Sequence, residues 1–205
     1  MNYMIPKLTL PLVALTLILT GCAAPPPLPV ETSASQNFDP QAVSKLVVLV
    51  QANNDYRQRQ ERDFDRTIED EFIPVLMRKG YSLASRSDVN SILKEMHFQN
   101  SGMTDQDAAK LGKMLNVPAV LVVAVTEFKV EQRHFEGSQP YYVTSGALGV
   151  RLISVEKGEI LWFGKHSGAI QSDLNNMGTT VLKSLARKIA EAFPERSPVK
   201  AQTSS

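Results

Sequence analysis

Residues Ala119 to Arg133 read AVLVVAVTEFKVEQR, and this stretch sets the fold. Its first half, Ala119 to Val125, is an unbroken apolar run rich in valine. A strand buried on both faces has that composition. Such a strand lies inside a sheet with helices on either side. The second half alternates: Glu127, Lys129, Glu131 and Arg133 are charged, while Phe128 and Val130 between them are apolar. A period of two marks a strand with one wet face.

Reading outward from there, residues 43–50 (VSKLVVLV) have the same buried-strand composition. The polar stretch 51–62 reads as a loop leading into a helix that runs to about Lys79. Phe64, Ile68, Phe72 and Leu76 recur at every fourth position and share one face of that helix. Gly80 is placed to cap its end. Residues 81–84 make a short strand. A helix from Ser87 carries Val89, Ile92, Leu93 and Met96 on one stripe, and Gly102 breaks the chain after it. Thr104 then caps a short helix with Asp105 and Asp107 in its first turn and Ala108, Leu111 and Leu115 facing inward. On the C-terminal side, residues 141–155 and 160–170 are strands joined by the turn Glu156-Lys157-Gly158-Glu159. A last helix, 179–193, places Val181, Leu182, Leu185, Ile189 and Phe193 on one face. The order β-α-β-α-α-β-β-β-α predicts an α/β domain over residues 43–193: a mixed β-sheet covered by helices.

What precedes the domain is of a different kind. Residues 1–21 hold one charge, Lys7, followed by the apolar run Leu8 to Leu19 (LTLPLVALTLIL) and the small pair Thr20-Gly21. The run is too short to cross a bilayer, which takes roughly 20 apolar residues, and it suits a signal peptide. Next comes Cys22, the only cysteine of the chain. Leu19-Thr20-Gly21-Cys22 resembles the bacterial lipobox. The resemblance implies cleavage before Cys22, lipid on its sulfur and an acylated new amino terminus. Several acyl chains anchor stably where one is marginal. Ala23 follows where an Asp would favour retention at the inner membrane, which points to the outer one. Residues 22–42, with Pro25-Pro26-Pro27 and a polar sequel, read as a lipidated flexible tether. Residues 194–205 lack hydrophobic periodicity and read as a disordered tail.

The domain also resembles a known family. Ser85 to Phe128 carries Arg86 after a strand, a helix with Ile92-Leu93-Lys94-Glu95, the break Gln99 to Gly102, a helix with Ala108 to Lys113, and a buried strand ending Val125-Thr126-Glu127-Phe128. Residues 152–161 (LISVEKGEIL) add a matching turn. These pieces resemble the CsgG family of curli-secretion lipoproteins. The likeness covers most of residues 43–192. Pore-forming members carry two long hairpins, and here the second position, between Ile170 and Thr179, has few residues. The resemblance therefore implies a non-pore relative, similar to lipoprotein activators of penicillin-binding proteins or to the TolB N-terminal domain.

Chemistry finds little foothold. His97, His134 and His166 lack metal-ligand spacing. The stretch 158–166 (GEILWFGKH) echoes a phosphate loop only superficially, because its apolar centre belongs in a strand. Glu69-Asp70-Glu71 reads as a solvated helix face, and the single tryptophan, Trp162, as core, with a binding-surface anchor as the alternative. Lys+Arg and Asp+Glu number 22 and 21, and beyond Lys7 they balance, so nothing attracts nucleic acid electrostatically. The expectation is a protein without enzymatic activity, catalytic residues, cofactor or metal. It is held by Cys22 on the periplasmic face of the outer membrane and binds envelope proteins, with homo-oligomerisation left open. A subunit of an oligomeric curli-type secretion channel is the alternative.

Overall fold

The computed structural model describes residues 28–51, 64–95, 103–134, 137, 140–172 and 179–196. The signal segment and Cys22 lie outside them, as do Met96, His97 and the break at 99–102. Six strands form one sheet: β1 (Glu31–Ala34), β2 (Lys45–Gln51), β3 (Ser82–Leu83), β4 (Ala119–Arg133), β5 (Tyr141–Ser154) and β6 (Ile160–Ser172). Their order across the sheet is β1-β6-β5-β4-β2-β3. β2 runs parallel to β3 and β4, and the remaining pairs are antiparallel, so the sheet is mixed, as expected. Among the described residues, four helices pack on it: α1 (Phe64–Arg78), α2 (Arg86–Glu95), α3 (Asp105–Met114) and α4 (Thr179–Ala192).

The apolar run of β4 serves two cores. Leu121, Val123 and Val125 face α1 and α4, where they join Phe72, Leu76, Leu148, Leu152, Leu185 and Ile189. Val120 and Val122 point the other way, toward Leu111 of α3 and Leu93 of α2, beside Leu49 and Ile153. Both faces of this half-strand are dry, which is why it shows no alternation.

The predicted caps form. Gly80 has φ +87°, with Gly80 N–H donating to the Met77 carbonyl and Tyr81 N–H to that of Leu76, a paired closure of the α1 end. Thr104 Oγ1 accepts from Asp107 N–H at 3.2 Å, and Thr104 N–H donates back to the Asp107 carboxylate at 3.1 Å. Hydrogen bonds from Thr104 hold the Asp107 carboxyl below its usual range. α3 lies so close to the sheet that a Cβ on Gly112 would sit 2.2 Å from Val155 and 2.9 Å from Val120. Trp162 is buried, edge-on to Phe193 at 4.8 Å, and folds over Gly164, where a Cβ would come within 2.4 Å of the indole.

Two boundaries differ from expectation. Residues 22–42 read as a flexible tether, yet Glu31–Ala34 within them form β1, paired with Trp162 to Lys165 of β6. All four residues of β1 are exposed, so backbone pairing at a sheet edge replaces the apolar signal that the sequence lacks. Asp39 then caps a 3-10 turn at Pro40–Ala42, accepting from Gln41 N–H at 2.9 Å. At the other end the tail was expected from residue 194, but 194–196 are docked. The Tyr81 hydroxyl donates to the Pro194 carbonyl at 3.0 Å, and Arg196 N–H donates to that of Lys79 at 3.0 Å. Residues 197–205 lie outside the described residues.

Past Val125 the pairing of β4 with β5 shifts by one residue at Thr126. The described part of β2 ends opposite Ala124, and among the described residues the far half of β4 runs on with β5 and β6 as a three-stranded arm. Bulges of this kind bend and twist a strand. The arm's apolar side is only partly covered. α4 packs Leu182 within 3.0 Å of the position a Gly146 Cβ would take and Thr144 is buried, but Val130 is 39% exposed.

Candidate interaction surface

Among the described residues, α2 and α3 cover their side of the sheet over β2, β4 and the Ile153 end of β5. Farther along β5, and over β6 and β1, no described helix lies on that face. Cross-strand register puts Ala124, Gly149 and Lys165 in one row, and Glu127, Ala147 and Ser167 in the next. Small residues on two neighbouring strands leave a groove of about 680 Å³ with Phe163 on its wall. A Cβ on Gly149 would touch only Thr126, at 3.7 Å, so the groove floor is open space.

Ion pairs line its rim. Lys165 Nζ meets the Glu31 carboxylate at 3.0 Å across β6 and β1. Arg151 reaches Asp105 of α3 at 3.3 Å. Glu127 closes the β4 side, and Leu28 and Pro29 close the end nearest the N-terminal segment. The result is a partly apolar trough with charge of both signs around it, suited to another protein surface and not to a uniformly charged polymer.

His166 fastens that end. It is buried on the α4 side of β6, and its imidazole donates to the Pro29 carbonyl. Nδ1 has no partner, so the donor is Nε2. Burial holds the His166 pKa below its ordinary 6.5, and the nearby Lys188 adds to the effect. A histidine depressed in the fold binds more protons when unfolded, so its contribution to stability is complete above about 6.5 and is lost as pH falls below that value. The melting temperature will therefore fall between pH 7 and pH 5, and His166→Gln will flatten that fall. Identical pH slopes for the two proteins, measured by calorimetry, would contradict this role.

The other residues singled out in the sequence lie elsewhere. Cys22 and His97 are outside the described residues, and His134 is exposed at the end of β4. Ile160 to His166, within the apparent phosphate loop, form β6. The acidic triple of α1 is no plain solvated face. Arg86 of α2 grips Glu69 at 2.8 Å and Asp70 at 2.9 Å, and Arg187 of α4 grips Glu71 at 2.8 Å. Burial nevertheless raises the Glu69 pKa, against the pull of Arg86. These pairs tie three helices together and lie apart from the groove. No helix among the described residues is long and apolar enough to cross a membrane.

No protein-family model matches the chain, and no curated protein matches it. Solved structures do. The PelC dodecamer from Paraburkholderia phytofirmans aligns at a TM-score of 0.50 and 17% identity, over 82% of this chain and 98% of that one. Lipoprotein GNA1162 from Neisseria meningitidis aligns at 0.47 and 18% identity, over 73% and 96%. LpoB from E. coli aligns at 0.42 and 13% identity, over 84% and 91%. At such identities the likeness is one of fold, and the α/β sheet described above is the fold this chain has in common with PelC.

Proposed function

We propose that this chain is a lipoprotein held by Cys22 on the periplasmic face of the outer membrane, where its domain docks envelope proteins. The observation that carries the reading is the groove of about 680 Å³ on the sheet face beside α3, floored by small residues of β4 and β5 and, among the described residues, not covered by a helix. The anchor is supported by the order of charge, apolar run, small pair and cysteine in residues 7–22. The ordered edge strand shortens the tether. Only six peptide steps separate Cys22 from Leu28, a reach of roughly 20 Å when extended. Such a leash keeps the groove end at Leu28 close to the lipid surface, within reach of partners seated in or on the membrane.

A channel subunit is the weaker reading. A membrane strand needs one face free for lipid, but α4 already covers Gly146 on the arm's less charged side. The other side carries Glu127, Lys129, Glu131 and Arg133.

Filling the groove tests the docking reading. Gly149→Trp places a large ring on an open floor and leaves both cores untouched. Affinity capture of the lipidated protein from membranes will retain an envelope protein with the wild type and lose most of it with Gly149→Trp, at an unchanged melting temperature. Equal recovery with both proteins would rule the groove out as the docking surface.

A further inference from the structure

The charged face of β4 beyond the bulge is its own complement when reversed. Glu127, Lys129, Glu131 and Arg133 alternate in sign, and turning the row about Val130 sets Glu127 against Arg133 and Lys129 against Glu131. Within one copy the charges are badly shared. Glu131 takes both Lys129 and, at 3.0 Å, Arg133, while Glu127 has no ion pair among the described residues. Among the described residues the same strand has an open edge. β2 accompanies β4 only as far as Ala124, and no described strand flanks residues 127–133 on that side. Val130, at the midpoint, is 39% exposed.

We propose that two copies of this chain join along this edge, β4 beside β4 of the second copy, antiparallel, with a two-fold axis at Val130. Two three-stranded arms then become one continuous six-stranded sheet. Every charge in the row gains a directly opposite partner of the other sign, including Glu127. Opposite-charge pairs facing each other across antiparallel strands are stabilising and like-charge pairs are not. The pattern also selects the register. Sliding the strands by one step in either direction sets Lys129 against itself or Glu131 against itself. A parallel, in-register arrangement sets every charge against its like. An isologous contact of this kind closes at two copies.

The test uses the full mature chain in a Cys22→Ser background, so that lipidation plays no part and failure of the anchor reading is a separate result. Sedimentation velocity will show a concentration-dependent dimer. Lys129→Glu disturbs two symmetry-related pairs and will weaken it about tenfold or more. Adding Glu131→Lys rebuilds a complementary row and will restore it. Directly opposite residues in antiparallel strands have Cα atoms about 4.5–5.5 Å apart, within disulfide range. Val130→Cys will therefore cross-link to itself on mild oxidation, and Lys157→Cys in the exposed turn will not. A monomer at every concentration, a ring of many copies, a dimer indifferent to Lys129→Glu, or no excess cross-linking at residue 130 would each overturn the proposal.

Discussion

A Leu121→Asp protein will not fold. Leu121 is fully buried in the strand that feeds both cores, between Val48 of β2 and Leu152 of β5. Its neighbours on that face are apolar side chains from α1, α4 and the adjacent strands. A carboxylate there has no cation to meet, and an unpaired buried charge costs several kcal/mol. A domain of this size is stable by about 5–15 kcal/mol in all, so the loss takes most or all of it. The adjacent Val122 is a poorer site for this test, because Arg151 lies directly opposite it. Leu121→Ala calibrates the result: a cavity without a charge will cost about 2–5 kcal/mol and leave a folded, less stable domain. A soluble Leu121→Asp protein with a cooperative melt would show that the two cores do not meet on β4.

The largest change in behaviour will come from Cys22. Exported behind an ordinary cleavable signal peptide, Cys22→Ser protein will move almost wholly from the membrane fraction to the soluble periplasm. Each buried methylene of an acyl chain contributes about 0.8 kcal/mol, so two or three chains hold a protein where one barely does. Little else in the chain would hold it there. Beyond Lys7 its charges balance, so it lacks the basic surface that anionic lipid attracts. Wild-type protein will take up labelled palmitate and resist a carbonate wash. A Cys22→Ser protein that stays bound, together with a wild type that takes up no label, would contradict the anchor.

The core was legible in the sequence because burial writes itself as periodicity. The doubly buried runs of β2 and β4, the every-fourth pattern of α1 and the single apolar face of α4 each led to the observed element. Edge structure left no such mark. Glu31-Thr32-Ser33-Ala34 has no apolar residue larger than alanine, and what orders it is a ladder of backbone bonds to β6. The groove was illegible for a related reason. Ala147 and Gly149 are ordinary strand residues until the register sets them beside Ala124 and Ser167. Phe128 and Val130 read alike, yet of the two Phe128 packs against the core, while no described residue buries Val130. Glu69, Asp70 and Glu71 looked solvated because their arginines lie about 16 and 116 residues away in sequence.

The central claim is that the groove on the sheet face receives a protein partner. It is tested most directly by placing a photoreactive side chain at Ala147, on the groove floor, and irradiating intact cells. The account predicts a discrete cross-linked species containing one envelope protein. That species will be absent when the probe sits at Lys157 in the exposed β5–β6 turn, and lost when Gly149→Trp fills the groove. The same cross-links from both positions, or none from Ala147 while the protein is membrane-bound and folded, would contradict it.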